Sequence, residues 1–397
     1  MHTLYDCVVV GGGPAGATAA NDMAQAGLRV ALLDKAGRIK PCGGAVPPKA
    51  IDEFAIPESQ IVARARSARV IAPSHREVDM PINGGFVGMV DREHFDEYLR
   101  DRAAGAGADR ITGKFEEVDR DPDGTVLIRF RPKAAGRDGA RETLRTRMVI
   151  GADGARSALA RQTVKGADKV PSVFAYHEII ESPDAGSERF AGDRCDIYYE
   201  GKYSPDFYSW IFPHGEVTSV GTGTAQKGFS LRRSIGELRD LTGLDKARTI
   251  RTEGAPIPLK AMKKWDNGQD VVLAGDAAGV VAPASGEGIY YAMLTGRLAG
   301  EAVATALETG KAKALATARK RFMKEHGQVF WVLGIMQHFW YSNDKRRERF
   351  VAICDDPDVQ YLTWEAYMHK RLVRARPAAH ARIFFKDMAH LLGMARA

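Results

Sequence analysis

The sequence predicts an α/β fold: a discontinuous domain of strands and helices, an antiparallel sheet inserted into it, and a helical C-terminal region. Three observations carry this. The chain opens with an apolar run at residues 5–10, the turn Gly11-x-Gly13-x-x-Gly16 and an Ala-rich stretch at helical spacing. A second apolar segment ends in Gly151-Ala152-Asp153-Gly154, and a third begins at Val271 and enters Gly275-Asp276, followed by Pro283, Gly286 and Gly288. Between these last two, residues 173–224 read as short strands with turn signals at Ser204-Pro205-Asp206 and Pro213-His214-Gly215; beyond about residue 312 the pattern is helical.

These patterns place the nucleotide-binding part over residues 1–72, 91–165 and 270–311, with helical punctuation at 92–102. The sheet domain is expected over 73–90 and 166–269, and the helical region over 312–397. Residues 133–141 are low in complexity and read as a loop. A chain of 397 residues is long enough for two or three such units.

In the first turn, Gly11, Gly13 and Gly16, with Pro14 and Ala15 between them, mark a strand-to-helix junction of the Rossmann-like kind. Backbone N–H groups and the helix dipole favour an anion there, and the missing side chains let a diphosphate approach. The apolar run at residues 28–33 ends at Asp34, followed by Lys35; an acid at this point is expected near an adenosine ribose. A carboxylate there would repel a ribose phosphate, so NADP is not the resident nucleotide. Combined with the 151–154 and 275–289 segments, the pattern describes a site for FAD.

Composition narrows the function. No segment approaches the roughly 18 continuous apolar residues of a membrane span. Met1 runs straight into the first strand, so a cytoplasmic location is expected. Cys7, Cys42, Cys195 and Cys354 are scattered, which argues against a disulfide framework and a zinc site; no metal is expected. A net charge of +7 with pI near 9.1 would suit nucleic acid or an anionic membrane. The basic residues are dispersed and no nucleic-acid motif accompanies them, so no nucleic-acid partner is expected.

With these motifs the chain resembles the flavoprotein fold of the aromatic hydroxylases related to para-hydroxybenzoate hydroxylase. The resemblance implies that Asp153 and Gly154 lie near the flavin and nicotinamide routes and that Asp276 meets the ribityl chain. Arg92, in Asp91-Arg92-Glu93-His94-Phe95-Asp96, matches a family arginine near the flavin; its other reading is a helix-start arginine in a surface ion pair. The hydroxylases commonly continue Gly-Asp-Ala-Ala with His, whereas this chain has Gly279 and then Ala284-Ser285-Gly286-Glu287-Gly288-Ile289. That version is similar to the geranylgeranyl reductase branch. Pro41-Cys42-Gly43-Gly44 and Tyr208-Ser209-Trp210-Ile211-Phe212-Pro213 agree, as does the run from residues 329–333 through 366–368, which resembles the chlorophyll and bacteriochlorophyll enzymes. The resemblance spans essentially the whole chain. It adds Cys42, Gly43, Gly44, Gly286, Gly288 and Ile289 to the expected cofactor contacts.

What this implies is a reductase of isolated, trisubstituted double bonds. Residues two apart share a strand face, so Tyr208, Trp210 and Phe212 form one aromatic wall, either core or a trough for a polyprenyl tail, with Pro213 beside it. An isolated alkene has no carbonyl to draw off charge, so a proton must accompany or precede hydride, and aromatic faces can stabilise the cationic carbon. Cys42, Tyr208 and Glu287 are the candidate donors; their alternative roles are a small buried hydrophobe, a structural hydrogen bond and a turn-orienting carboxylate. NADPH is the expected electron donor, docking transiently, since no second glycine fingerprint is present. The substrate is a geranylgeranylated pigment or free geranylgeranyl diphosphate, for which Lys260, Lys263 and Lys264 could bind the diphosphate. A flavin monooxygenase and a non-catalytic flavin-containing assembly factor are the rivals. Phe384, Phe385, Met388, Leu391 and Leu392, with Arg371, Arg374, Arg376, Arg382 and Lys386, predict either a peripheral membrane helix or a docked terminal helix.

Overall fold

The computed structural model describes residues 3–35, 39–40, 42–136, 139–184 and 190–370. It divides into two compact units, each assembled from three separated segments.

The first unit, Met1–Ile39, Arg92–Ser172 and Pro256–Gln328, is built on a six-stranded sheet. Leu4–Val10 buries Cys7, Val8, Val9 and Val10 on both faces, as a central parallel strand must. It pairs in parallel with Val30–Asp34 and with Glu142–Gly151. Val30–Asp34 pairs onward with Asp109–Arg120, and Glu142–Gly151 with Val271–Leu273, again in parallel. Val126–Pro132 runs antiparallel to both Asp109–Arg120 and Glu142–Gly151. Helices Pro14–Gln25 and Ile289–Thr309 touch backbone to backbone, because a β-carbon on Gly296 would overlap the Ala15 carbonyl oxygen.

The second unit, Lys40–Asp91, Val173–Ala255 and Val329–Ala397, holds most of a seven-stranded sheet. Its order is Thr249–Pro258, Ser172–Glu181, Val217–Thr224, Ser209–His214, Arg194–Tyr198, Ser67–Ile71 and Glu77–Pro81. Ile180, Ile211 and Val220 form one core cluster with Ile235 and Leu238 of helix Leu231–Thr242. Alternation along the strands turns Trp210 and Phe212 to the opposite face. A small sheet joins Ala45–Val46, Val87–Met89 and Ala63–Ala65, and helices Asp344–Cys354 and Pro357–His369 follow Thr317–Trp340.

Three expectations need adjusting. Residues 40–72 group with the second unit, because Ser67–Ile71 pairs with Arg194–Tyr198 and Ala63–Ala65 with Val87–Met89. The C-terminal helical stretch is shared between the units, dividing after Gln328. The 133–141 loop begins with a 3₁₀ turn, Lys133–Ala135. Among the described residues no helix is long and apolar enough to cross a membrane.

Candidate active site

The parallel register gathers the separated glycine segments at one end of the first unit's sheet. Val10 stands level with Leu33 and Gly151, and Gly151 with Leu273. Gly11, Asp34, Ala152, Asp153, Gly275 and Asp276 therefore lie at or just beyond the carboxyl ends of neighbouring strands, where open α/β sheets bind ligands.

Gly11 and Gly13 are glycine for different reasons. Gly11 has φ of +108°, and a β-carbon on it would overlap the Ala152 carbonyl oxygen. A β-carbon on Gly16 would likewise overlap the Gly11 carbonyl oxygen. One on Gly13 would meet no atom within 4 Å. Packing thus explains Gly11 and Gly16 and leaves open space at Gly13. It lies at the start of Pro14–Gln25, which has no side-chain cap and no acid in its first turn. Ser157, Ser230, Asn343 and Asp356, by contrast, cap the helices that follow them. An uncapped start suits an anion such as a diphosphate.

Helix Ile289–Thr309 begins in the same way at Gly288. Asp276 Oδ1 lies 3.9 Å from where a Gly288 β-carbon would stand. The turn before it is closed by the Gly286 N–H donating to the Ala282 carbonyl and the Ala282 N–H donating to the Glu287 carbonyl, both at 2.9 Å. Glu287 is buried in that turn. Gly279 cannot carry a side chain, since a β-carbon there would overlap the Lys260 carbonyl oxygen.

Asp34 accepts the Gly12 N–H at 2.8 Å, with Lys35 exposed beside it. Arg100, which sequence reasoning does not reach, donates to the Gly12 carbonyl at 3.1 Å and braces the loop. The Asp153 carboxylate is spent on its own segment: it accepts from the Ser157 hydroxyl and from the N–H groups of Ala158 at 2.7 Å and Leu159 at 3.3 Å. Its neighbour Gly154 has φ of +88° and open space around it. Arg92 forms a bidentate pair with Asp96 at 2.7 and 2.8 Å. The surface ion pair weighed for Arg92 is corrected, because the helix turns Arg92, Phe95, Asp96 and Leu99 inward and buries the pair. An open Gly13, two uncapped helix starts and a carboxylate beside the second together fit FAD.

The second unit brings the other predicted residues together. Tyr208 immediately precedes strand Ser209–His214, and its ring centroid lies 6.0 Å from that of Trp210, which is 6.3 Å from that of Phe212. All three are buried. The indole lies on Gly221 of the neighbouring strand, where a β-carbon would overlap the ring. Phe212 occupies the place of a side chain on Gly43, whose β-carbon would stand 2.7 Å from Phe212 Cδ2. Gly44, with φ of +69°, lies against His214 and donates its N–H to Cys42 Sγ at 3.4 Å. Pro213 pairs with Thr218 in the same hairpin.

His214 is a further residue that no local motif announces. Its Nδ1–H donates to the Phe212 carbonyl at 2.9 Å, and burial lowers its pKa to about 4, so the ring is neutral at pH 7. Among the described residues no group of His, Cys, Asp and Glu could hold a metal ion.

A family model described as pyridine nucleotide-disulphide oxidoreductase matches residues 5–189, and one described as lycopene cyclase protein matches residues 218–386. The chain is 55% identical to a geranylgeranyl diphosphate reductase of Rhodobacter capsulatus over 98% of both chains. It is 35% identical to a chloroplastic geranylgeranyl diphosphate reductase of Oryza sativa subsp. japonica, covering 93% of this chain and 82% of that one. The crystal structure of a geranylgeranyl bacteriochlorophyll reductase-like protein from Thermoplasma acidophilum shares the fold, with a TM-score of 0.79 at 23% identity over 97% of this chain and 100% of that one. The chain belongs to the geranylgeranyl reductase family, flavin-dependent oxidoreductases acting on carbon–carbon double bonds.

Proposed function

We propose that the protein saturates the isolated double bonds of a geranylgeranyl group to phytyl on a chlorophyllide or bacteriochlorophyllide ester, with NADPH as electron donor. The observation that carries this reading is the aromatic row Tyr208–Trp210–Phe212, closed at Phe212 by the Cys42-Gly43-Gly44 loop. A polyprenyl tail needs a continuous apolar surface, and three buried rings in file supply one. The chloroplastic relative from rice supports a pigment-linked substrate.

FAD bound here and reduced by NADPH would supply the hydride. The chain's own residues hold the cofactor and manage the proton. Gly13 and the uncapped start of Pro14–Gln25 receive the diphosphate, Asp34 serves the adenosine ribose, and Asp276 accepts from the ribityl hydroxyls. As the proton reaches an unactivated alkene ahead of hydride, positive charge gathers on carbon, and the faces of Trp210 and Phe212 lower its energy until hydride quenches it. Cys42 holds the proton at Sγ; the packing of its loop against Phe212 supports this choice. The main-chain role of Glu287 in the 282–287 turn supports an orienting part for it, and the contact of Tyr208 with Tyr199, at 6.0 Å between centroids, supports a place in the wall.

Free geranylgeranyl diphosphate is the second reading, favoured by the names of the relatives and by the exposure of Lys260, Lys263 and Lys264. Peripheral membrane contact is supported by Trp331, 67% exposed, and Ile335, 49% exposed, one turn apart on Thr317–Trp340, with Lys345, Arg346 and Arg349 following on the next helix. The terminal residues expected to serve this role, including Phe384, Phe385, Met388, Leu391 and Leu392, lie outside the described residues.

Anaerobic incubation of the purified flavoprotein with NADPH and each substrate tests the reading. Mass spectrometry should find two hydrogens gained per saturated bond, on the pigment ester in preference to the diphosphate. In a parallel aerobic incubation, oxygen consumption with hydroxylated product and no saturation would replace the reading with a monooxygenase.

A further inference from the structure

Behind the aromatic row lies a buried chain of polar groups that the chemistry above leaves unused. In the sheet register Trp210 is level with Gly221, and Gly221 with His177, so the three lie in line across neighbouring strands and face the same side. Because Gly221 has no side chain, the indole spreads across it and its Nε1–H reaches Ser219 Oγ at 3.0 Å. Ser219 Oγ is also 3.0 Å from His177 Nδ1, and His177 Nε2 is 2.5 Å from Glu253 Oε2. Glu253 Oε1 pairs with Arg251 Nε at 2.9 Å, and Arg251 Nη2 donates to Asp91 Oδ1 at 3.1 Å. Ser219 is wholly buried, and His177 is 3% exposed.

The donors can be assigned in order. An indole N–H only donates, so Ser219 Oγ accepts it. The serine hydroxyl then donates to His177 Nδ1, which carries no proton. His177 Nε2 therefore bears the hydrogen and gives it to Glu253. Every member from Trp210 to Glu253 is satisfied in one direction, and a rotated indole would leave the Ser219 oxygen without its donor. Burying such a chain where apolar side chains would fit costs stability unless each link is made.

We infer that His177, anchored by Glu253, is a positioning residue that fixes the orientation of the Trp210 indole through Ser219. Orientation matters because an aromatic ring is negative on its face and positive at its edge: face-on it stabilises a cationic carbon, edge-on it does not. The inference rests on the reading of Trp210 as part of the substrate wall.

The test uses the FAD-loaded protein, pre-reduced and mixed with geranylgeranyl substrate in a single turnover, with flavin reduction by NADPH measured separately. Ser219→Ala and His177→Phe should each slow alkene saturation about tenfold, the scale of one well-placed cation–π contact, while KM for the alkene and the flavin-reduction rate stay within about twofold. His177→Asn, which keeps an acceptor for Ser219, should recover much of the loss. Near-ultraviolet circular dichroism should change in Ser219→Ala as it does in Trp210→Phe. If Trp210→Phe slows the alkene step while Ser219→Ala and His177→Phe do not, the positioning role is overturned and the wall stands. Should Trp210→Phe leave that step untouched, both fall. Equal slowing of the two half-reactions, or no recovery in His177→Asn, would mark the chain as merely structural. If Ser219→Ala does not fold, Ser219→Cys, similar in volume and a weaker hydrogen-bonding group, carries the same comparison.

Discussion

The backbone of Gly11 lies against that of Ala152 so closely that a β-carbon on Gly11 would overlap the Ala152 carbonyl oxygen, whereas a β-carbon on Gly13 would meet no atom within 4 Å. The two glycines should therefore fail differently. Gly11→Ala forces apart two segments of the first unit at a φ that disfavours alanine, and should cost several kcal/mol, on the order of 3 or more. Gly13→Ala should keep the wild-type melting temperature and lose FAD. Thermal unfolding of the cofactor-stripped proteins and flavin absorbance after purification separate them. Full retention of FAD by Gly13→Ala would end the assignment of that space to the diphosphate.

Asp276 stands beside the uncapped start of Ile289–Thr309. On the proposed reading, in which Asp276 accepts from the ribityl hydroxyls, Asp276→Ala should fold and retain little FAD, a loss of roughly 1–3 kcal/mol per contact. Flavin titration measures it, and wild-type affinity in the variant would remove Asp276 from the cofactor site.

Gly221 is the seat of the Trp210 indole. Gly221→Ala would push the ring off the strand, costing about 1–3 kcal/mol as overpacking does. Alkene saturation should suffer far more than flavin reduction. Stopped-flow measurement of both half-reactions decides it: equal slowing would place Trp210 in the core alone.

The glycine segments are legible because each is contiguous and each glycine answers a local need, a tight turn or a close approach. Tyr208, Trp210 and Phe212 are legible because a strand repeats every two residues. The polar partners are not. His177 meets Ser219 across 42 residues of sequence and Glu253 across 76, through sheet register that no local pattern encodes. Arg100 reaches Gly12 across 88 residues and looks, along its own helix, like any surface arginine. The sequence pattern puts residues 40–72 in the wrong unit for the same reason: alternation identifies a strand such as Ser67–Ile71 and does not say that its partner is Arg194–Tyr198.

Cys42 takes a backbone N–H from Gly44 at its sulfur and sits in the loop that packs on Phe212. Cys42→Ser preserves size and that hydrogen bond but replaces a thiol with a hydroxyl, a far weaker acid. Alkene saturation should fall by about a hundredfold or more, the scale of a lost general acid, with FAD content unchanged. Turnover near the wild-type rate would move the proton donor to Tyr208 or Glu287.

His214 ties the Cys42 loop to acid stability. Burial holds its pKa at about 4, while in the unfolded chain it is about 6.5. Below about pH 6.5 the unfolded chain takes up a proton that the folded one refuses, so stability declines as pH falls through the window between the two values and is fully present above it. The difference amounts to roughly 3 kcal/mol at its limit, because each tenfold change in proton affinity is worth about 1.4 kcal/mol. His214→Asn keeps a donor for the Phe212 carbonyl and cannot titrate, so its urea midpoint should decline less steeply than that of the wild type across this range. Parallel profiles would show that other groups carry the acid sensitivity. Since Gly44 packs directly on the imidazole, protonation should also disturb the loop that presents Cys42, and alkene saturation should be lost at a higher pH than global unfolding.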